Sequence, residues 1–271
     1  MYNCYILLLK IKLLINSVYT KVRGPNMKIN KEQKQKNRNK IILSAVDLVT
    51  SKGLKSATMR EIARQAGLGD ATIYNYFPTK EAIVYGYYED KFDGVIKQLK
   101  QIKDFNEYTF DEQLQTFFET ILELFLPDRE FLEKTFKTTF FALSQHYSRI
   151  RPIKEKFMAI VEDIFTAAIE VDEIPDQVFR EMTIQFFWEY YIGIVIYWLK
   201  DDTDQFEGTT VLIDKSIDLA CTSIKAGIGN KIFDMGIFLF KNHVLSRMNF
   251  IKDHVDTIHG IKKKFMGAKN D

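Results

Sequence analysis

The chain is short of cysteine, proline, glycine and histidine, and each shortage removes a class of answer. Its 271 residues hold two cysteines, Cys4 and Cys221. A pair so far apart makes neither a disulfide framework nor a Cys-x-x-Cys metal site, and it suits a reducing cytoplasm. Five prolines and thirteen glycines leave long stretches without turn signals, which argues against many short strands and for an all-α fold. His146, His243, His254 and His259 are scattered. The last two stand five apart, not the three or four that places two ligands on one helix face. No Gly-x-Ser-x-Gly elbow, Walker loop or dinucleotide fingerprint is present, and the carboxylates form no recognisable pair. No catalytic centre, metal or cofactor is therefore expected. The apolar run Tyr5 to Leu14 is interrupted by Lys10 and Lys12 and falls short of the roughly 20 residues that a membrane helix requires. No stable membrane association is expected. Residues 1–29 read as an extension to the fold, with Met27 as the natural start.

Charge is present in quantity but unevenly spread. Between Lys21 and Arg64 there are twelve cations against three anions, and from Asp104 onward nineteen against twenty-eight. A basic segment is a footprint for phosphates, and an acidic remainder is repelled by them. The first part is thus expected to approach nucleic acid and the second to project away from it.

Within the basic part, Thr58-Met59-Arg60-Glu61 is a capping box, in which the Thr58 hydroxyl takes the Glu61 N–H and the Glu61 carboxylate reaches back. Met59, Ile62, Ala63 and Ala66 then fall on one helical stripe, and Gly67 supplies a left-handed stop. A second helix is expected from Asp70 to Phe77. Ile73 and Phe77 would face inward, while Thr72, Asn75 and Tyr76 would be left for another surface; Pro78 stops the helix. Tyr74 is divided between packing and phosphate contact. Two short helices about a glycine turn make a helix-turn-helix, whose second member enters a DNA major groove. A support helix is expected from Asn39 to Gly53 after a polar lead-in, and a long connecting helix from Glu81 to about Lys103.

The ordered set Ala45, Leu48, Gly53, Thr58, Ile62, Ala63, Ala66-Gly67-Leu68, Thr72-Ile73-Tyr74-Asn75-Tyr76-Phe77 and Lys80-Glu81 resembles the N-terminal domain of the TetR family of bacterial transcriptional regulators. The resemblance covers about Arg38 to Tyr87. It implies a homodimeric, all-helical repressor that binds a near-palindromic double-stranded operator and is released by a small-molecule inducer. It also implies that Thr58, Tyr76 and Lys80 touch phosphates, while Ala71, Thr72, Tyr74 and Asn75 lie in the groove. Arg60 and Asp70 complete the expected DNA-binding set. Two positions depart from the family pattern. Gly69 replaces a common Ser cap, and Asp70 brings a negative charge that helps the helix dipole, repels a phosphate or accepts from a cytosine amino group.

The expected division is residues 30–84 for DNA reading and 85–271 for a helical regulatory and dimerisation domain. Helices are expected over 110–126, 130–147, 153–171, 176–199, 209–226, 231–248 and 251–265, broken at Pro127, Pro152, Pro175, the Asp201 to Asp204 loop and Gly227 to Gly229. The stretch Phe186 to Leu199 is apolar nearly all round, so it must be covered on every side. Dimerisation is expected through Asp176–Leu199 and Thr209–Ala226. An apolar or aromatic inducer is expected among Phe117, Glu123, Phe140, Phe141, His146, Phe165, Phe186 and Tyr190, although aromatic stripes at helical spacing are more often plain core. The alternative is a helical small-molecule-binding protein or enzyme in which the motif only packs; an anchor at Tyr2 to Tyr19 is a third reading.

Overall fold

The computed structural model describes residues 31–140 and 147–239. The expected extension, Phe141, His146, the last part of the helix expected over 231–248 and the one over 251–265 lie outside the described residues. Among those described, the regular elements are all helical: α1 (Lys31–Lys52), α2 (Met59–Gln65), α3 (Lys80–Leu99), α4 (Phe110–Phe125), α5 (Arg129–Phe140), α6 (Tyr147–Glu170), α7 (Arg180–Trp198), α8 (Glu207–Lys225) and α9 (Ile228–Leu239), with short 3-10 turns between some of them.

Three elements depart from expectation. The polar lead-in is helix, so α1 begins at Lys31. Its side chains support it one turn apart, through Lys36 to Glu32 at 2.7 Å, Gln33 to Asn37 at 2.9 Å and Gln35 to Asn39 at 2.9 Å. Pro152 is not a break but sits inside α6, where it removes a single backbone donor. The expected helix over 70–77 is a 3-10 turn, Ile73–Asn75. Its bonds run from Thr72 N–H to Gly69 O (2.8 Å) and from Tyr76 N–H to Ile73 O, with one α-type bond, Phe77 N–H to Ile73 O at 3.0 Å. Pro78 follows at once and disfavours helical dihedrals at Phe77, so the segment has no room for a second turn.

The core is continuous from the first part to the last. Ile41, Ala45 and Val49 of α1 meet Ile62, Ala63, Ile73 and Phe77, then Ile83 and Val84, all buried. The body is filled by rings: Tyr88, Phe92, Phe117, Phe118, Phe157 and Tyr191 are among those almost wholly enclosed. Many meet edge to face, as Phe110 does Phe165 at 4.9 Å and 89°, an arrangement worth about 0.5–1.5 kcal/mol beyond area burial. The expected boundary after residue 84 falls inside α3, which runs unbroken from Lys80 to Leu99.

Side-chain ties hold the first part to the second. Arg38 of α1 grips Asp90 of α3 through two bonds of 2.6 and 2.5 Å and lies over the Phe77 ring. Lys134 of α5 donates to the Thr50 carbonyl of α1. At the far end Arg129 donates to the carbonyls of Trp198, Leu199 and Asp201 at 2.9–3.1 Å, satisfying the orphan acceptors at the end of α7. The Asp201 carboxylate in turn receives Thr203 N–H at 3.0 Å and Thr209 N–H at 2.7 Å, which caps the start of α8.

Candidate DNA-reading surface and ligand cavity

The capping box forms as read. The Thr58 hydroxyl accepts the Glu61 N–H at 3.3 Å, and the Glu61 carboxylate accepts the Thr58 N–H at 3.0 Å. Lys52 at the end of α1 bonds the other Glu61 oxygen at 2.5 Å. That bond, followed by those from Thr58, pulls the Glu61 carboxyl down to about 2 from its ordinary 4.5. The entry to α2 is therefore tied to the exit of α1.

Past Gly67, held at φ +70° where L side chains are strained, the chain presents the candidate reading edge. Ile73 and Phe77 are buried, while Ala71, Tyr74 and Asn75 are exposed and Thr72 and Tyr76 half-buried. Tyr74 is 56% exposed, so its ring is offered outward. Arg60 and Asp70 form an ion pair at 3.0 Å across the turn. Asp70 thus presents a partly compensated charge, a contact that spans ten residues and that helical spacing does not announce. In the same part of the chain Lys31, Lys34, Lys36, Lys40, Lys55 and Arg64 are all exposed.

All three expected phosphate contacts have intramolecular partners. The Thr58 hydroxyl, besides accepting the Glu61 N–H, donates to the Glu61 carboxylate at 2.7 Å. The Tyr76 hydroxyl accepts from the buried Asn37 amide at 3.0 Å. The Lys80 ammonium donates to the carbonyls of Leu54, Lys55 and Ala57 at 2.7, 3.0 and 3.3 Å. All three of its donors are used on the loop that delivers Thr58.

The residues expected to hold a ligand are dispersed. Phe117 and Phe165 are sealed in the core. Glu123 is exposed and accepts from Gln98 at 3.2 Å. Phe140 is half-buried and stacks on Phe136 at 4.4 Å. Phe186, 59% exposed, and Tyr190, bonded to Ser216 at 2.7 Å, border a groove of about 380 Å³ between α7 and α8. Another cavity, of about 710 Å³, lies between the end of α3, the loop after it and α6, and none of the expected residues lines it. Its walls include Ile96, Leu99, Phe105, Ile160 and Ile164. Sequence offers no signal for it, because these residues continue ordinary apolar stripes.

Residues 41–85 match the family model described as bacterial regulatory proteins, tetR family, and residues 113–239 match the tetracyclin repressor-like C-terminal domain. The fatty acid metabolism regulator protein of Bacillus subtilis (strain 168) is 25% identical over 172 residues, covering 63% of this chain and 88% of that protein. Among solved structures, FadR from Bacillus subtilis in complex with stearoyl-CoA aligns with TM-score 0.54 and 23% identity, over 70% of this chain and 98% of that one. Thermus thermophilus FadR, a TetR-family repressor in complex with lauroyl-CoA, aligns with TM-score 0.51 and 20% identity, over 68% and 92%. At such identities the structural likeness speaks for the fold alone. With both its helix-turn-helix part and its helical body matched, the chain belongs to the TetR family: it is a ligand-responsive, DNA-binding transcriptional regulator.

Proposed function

We propose that the chain is a repressor that reads a near-palindromic operator as a homodimer and lets go when a small molecule with a long apolar segment enters the cavity between α3 and α6. The observation that carries the reading is the edge of Ala71, Tyr74 and Asn75, exposed beside a half-buried Thr72 on a buried footing of Ile73 and Phe77, in a part of the chain rich in exposed cations. Tyr74, Asn75, Thr72 and Ala71 lie against bases in this reading, with Arg60 and Thr58 near phosphates. Tyr76 and Lys80 act chiefly by fixing the edge in place. The two relatives solved with stearoyl-CoA and lauroyl-CoA support an apolar tail for the inducer.

A second copy fits the face that α7 and α8 leave open. Met182, Phe186 and Tyr197 on α7 and Val211 and Leu219 on α8 are 42–70% exposed, and Gly193 in the same stripe has open space over it. Reading two half-sites requires such a pair. Among the described residues no helix is long and apolar enough to cross a membrane, and a repressor works beside DNA in the cytoplasm.

The route from ligand to DNA is α3. Its last residues, Ile96 and Leu99, wall the cavity, and its first, Lys80, clamps the loop before Thr58. A guest wedged against the far end would tilt this helix and alter the spacing of the two reading edges.

Operator selection in vitro followed by mobility shift tests the assignment. Tyr74→Ala and Asn75→Ala should each weaken selected-operator binding by about 1–3 kcal/mol with thermal stability intact. Lys80→Ala should lower stability together with binding. Wild-type affinity in the Tyr74 and Asn75 variants would overturn the contact assignment.

A further inference from the structure

We propose that the cavity at the end of α3 takes a lipophilic cation, an apolar chain or ring system bearing an amine or quaternary ammonium, rather than an anionic thioester. This rests on the reading that occupancy of this cavity controls DNA binding. Its size, about 710 Å³, lies within the roughly 300–1,000 Å³ usual for small-molecule pockets. The apolar walls Ile96, Leu99, Ile102, Phe105, Ile160 and Ile164 suit a greasy tail.

The rim decides the head group. Three carboxylates, Asp104, Glu107 and Asp163, line it against two cations, Lys100 and Lys156. Lys156 is already engaged, at 2.5 Å from Asp93 and 3.8 Å from Glu89. Asp104 has Lys103 at 3.7 Å, whereas Glu107 and Asp163 pair with no cation among the described residues. Lys100 is the remaining positive group, and no arginine lines the cavity to fork onto a phosphate.

The helix ends agree. α3 terminates in the wall at Leu99 and Lys100. The carbonyls of Ile96, Gln98 and Leu99 already accept the N–H groups of Lys100, Gln101 and Ile102, so what the helix end offers a cation is its negative pole rather than open acceptors. The opposite pole available nearby, the start of α4, is filled: Glu173 accepts the Phe110 N–H at 2.9 and 3.0 Å, and Glu112 closes a capping box on Thr109. A diphosphate head would therefore find carboxylates and used donors. An ammonium would find two free carboxylates, the negative pole of a helix and the Phe105 ring, whose face attracts cations.

Calorimetric titration of the full chain with dodecyltrimethylammonium, dodecanol, dodecyl sulfate and lauroyl-CoA, each below its critical micelle concentration, tests the proposal. The ammonium should bind at least about tenfold tighter than dodecyl sulfate at low salt, with the difference shrinking as salt rises. The double variant Glu107→Gln/Asp163→Asn should weaken the ammonium about fivefold, as expected for two exposed charges, and leave dodecanol unchanged. Ile160→Trp, which fills the cavity, should abolish binding of the ammonium and dodecanol. Preference for lauroyl-CoA that Ile160→Trp removes would overturn the cation while keeping the cavity as the inducer site. Binding of the ammonium indifferent to the double variant would also overturn the cation. If Ile160→Trp left every probe bound, and operator release intact, the cavity reading itself would fall.

Discussion

Glu61 shows how much a single carboxylate can tie together in this fold. It closes the capping box on Thr58 and receives Lys52 from the preceding helix. Its carboxyl, held at about 2 against an ordinary 4.5, stays charged in the folded chain at acidities where the unfolded one is protonated. The stability it contributes is therefore complete above about pH 4.5 and drains away as the pH falls toward 2. Thermal melts across that window should show Glu61→Gln losing less stability on acidification than the wild type; parallel acid limbs would refute the role. The box itself was legible in sequence, because its two partners are three residues apart and obey one local rule. Arg60 with Asp70, and Lys80 with the 54–57 carbonyls, were not, since each joins segments whose approach depends on the turn between them. A lysine after a helix-turn-helix reads as a phosphate ligand until the carbonyls facing it are known.

At the scale of elements, periodicity located most helices to within a few residues, as at α4, α7 and α8. It failed where a helix draws on something other than an apolar stripe. The start of α1 rests on side-chain pairs among polar residues, and the short 73–75 turn is set by what Pro78 forbids at Phe77. α3 also carries a requirement that periodicity does not report. A Cβ at Gly86 would lie 2.8 Å from a ring carbon of Phe77 and 3.2 Å from an Arg38 nitrogen. Replacing a helix-interior glycine by alanine normally gains about 0.5–1 kcal/mol, but overpacking a filled site costs about 1–3 kcal/mol. Gly86→Ala should therefore be net destabilising in chemical denaturation, and operator affinity should fall with it because Phe77 is the inner anchor of the reading edge. A more stable variant with unchanged DNA binding would show that this contact yields easily.

At the scale of the whole molecule, the charge asymmetry visible along the chain agrees with a basic reading end and an acidic body. The aromatic wealth suited an inducer pocket but more often marks plain core, and most of those rings are solid core. The cavity of about 710 Å³ is made by the meeting of α3, the 100–107 loop and α6. A space between elements has no residue pattern of its own. The proposed dimer gives the sharpest test at this scale. Phe186→Asp with Leu219→Asp should convert the sedimenting species to a monomer that remains helical, with operator binding lost by at least about a hundredfold as one half-site is forfeited. A dimer that persists would place the two-fold axis elsewhere. If the two-fold runs through α7 and α8, then the turn where Arg129 gathers three carbonyls and Asp201 caps the next helix acquires a remote duty. It sets the angle between the two helices that meet their counterparts across the axis. A corner of the protein that never approaches the double helix would thereby act as a ruler, helping to decide how many base pairs separate the two halves of the operator.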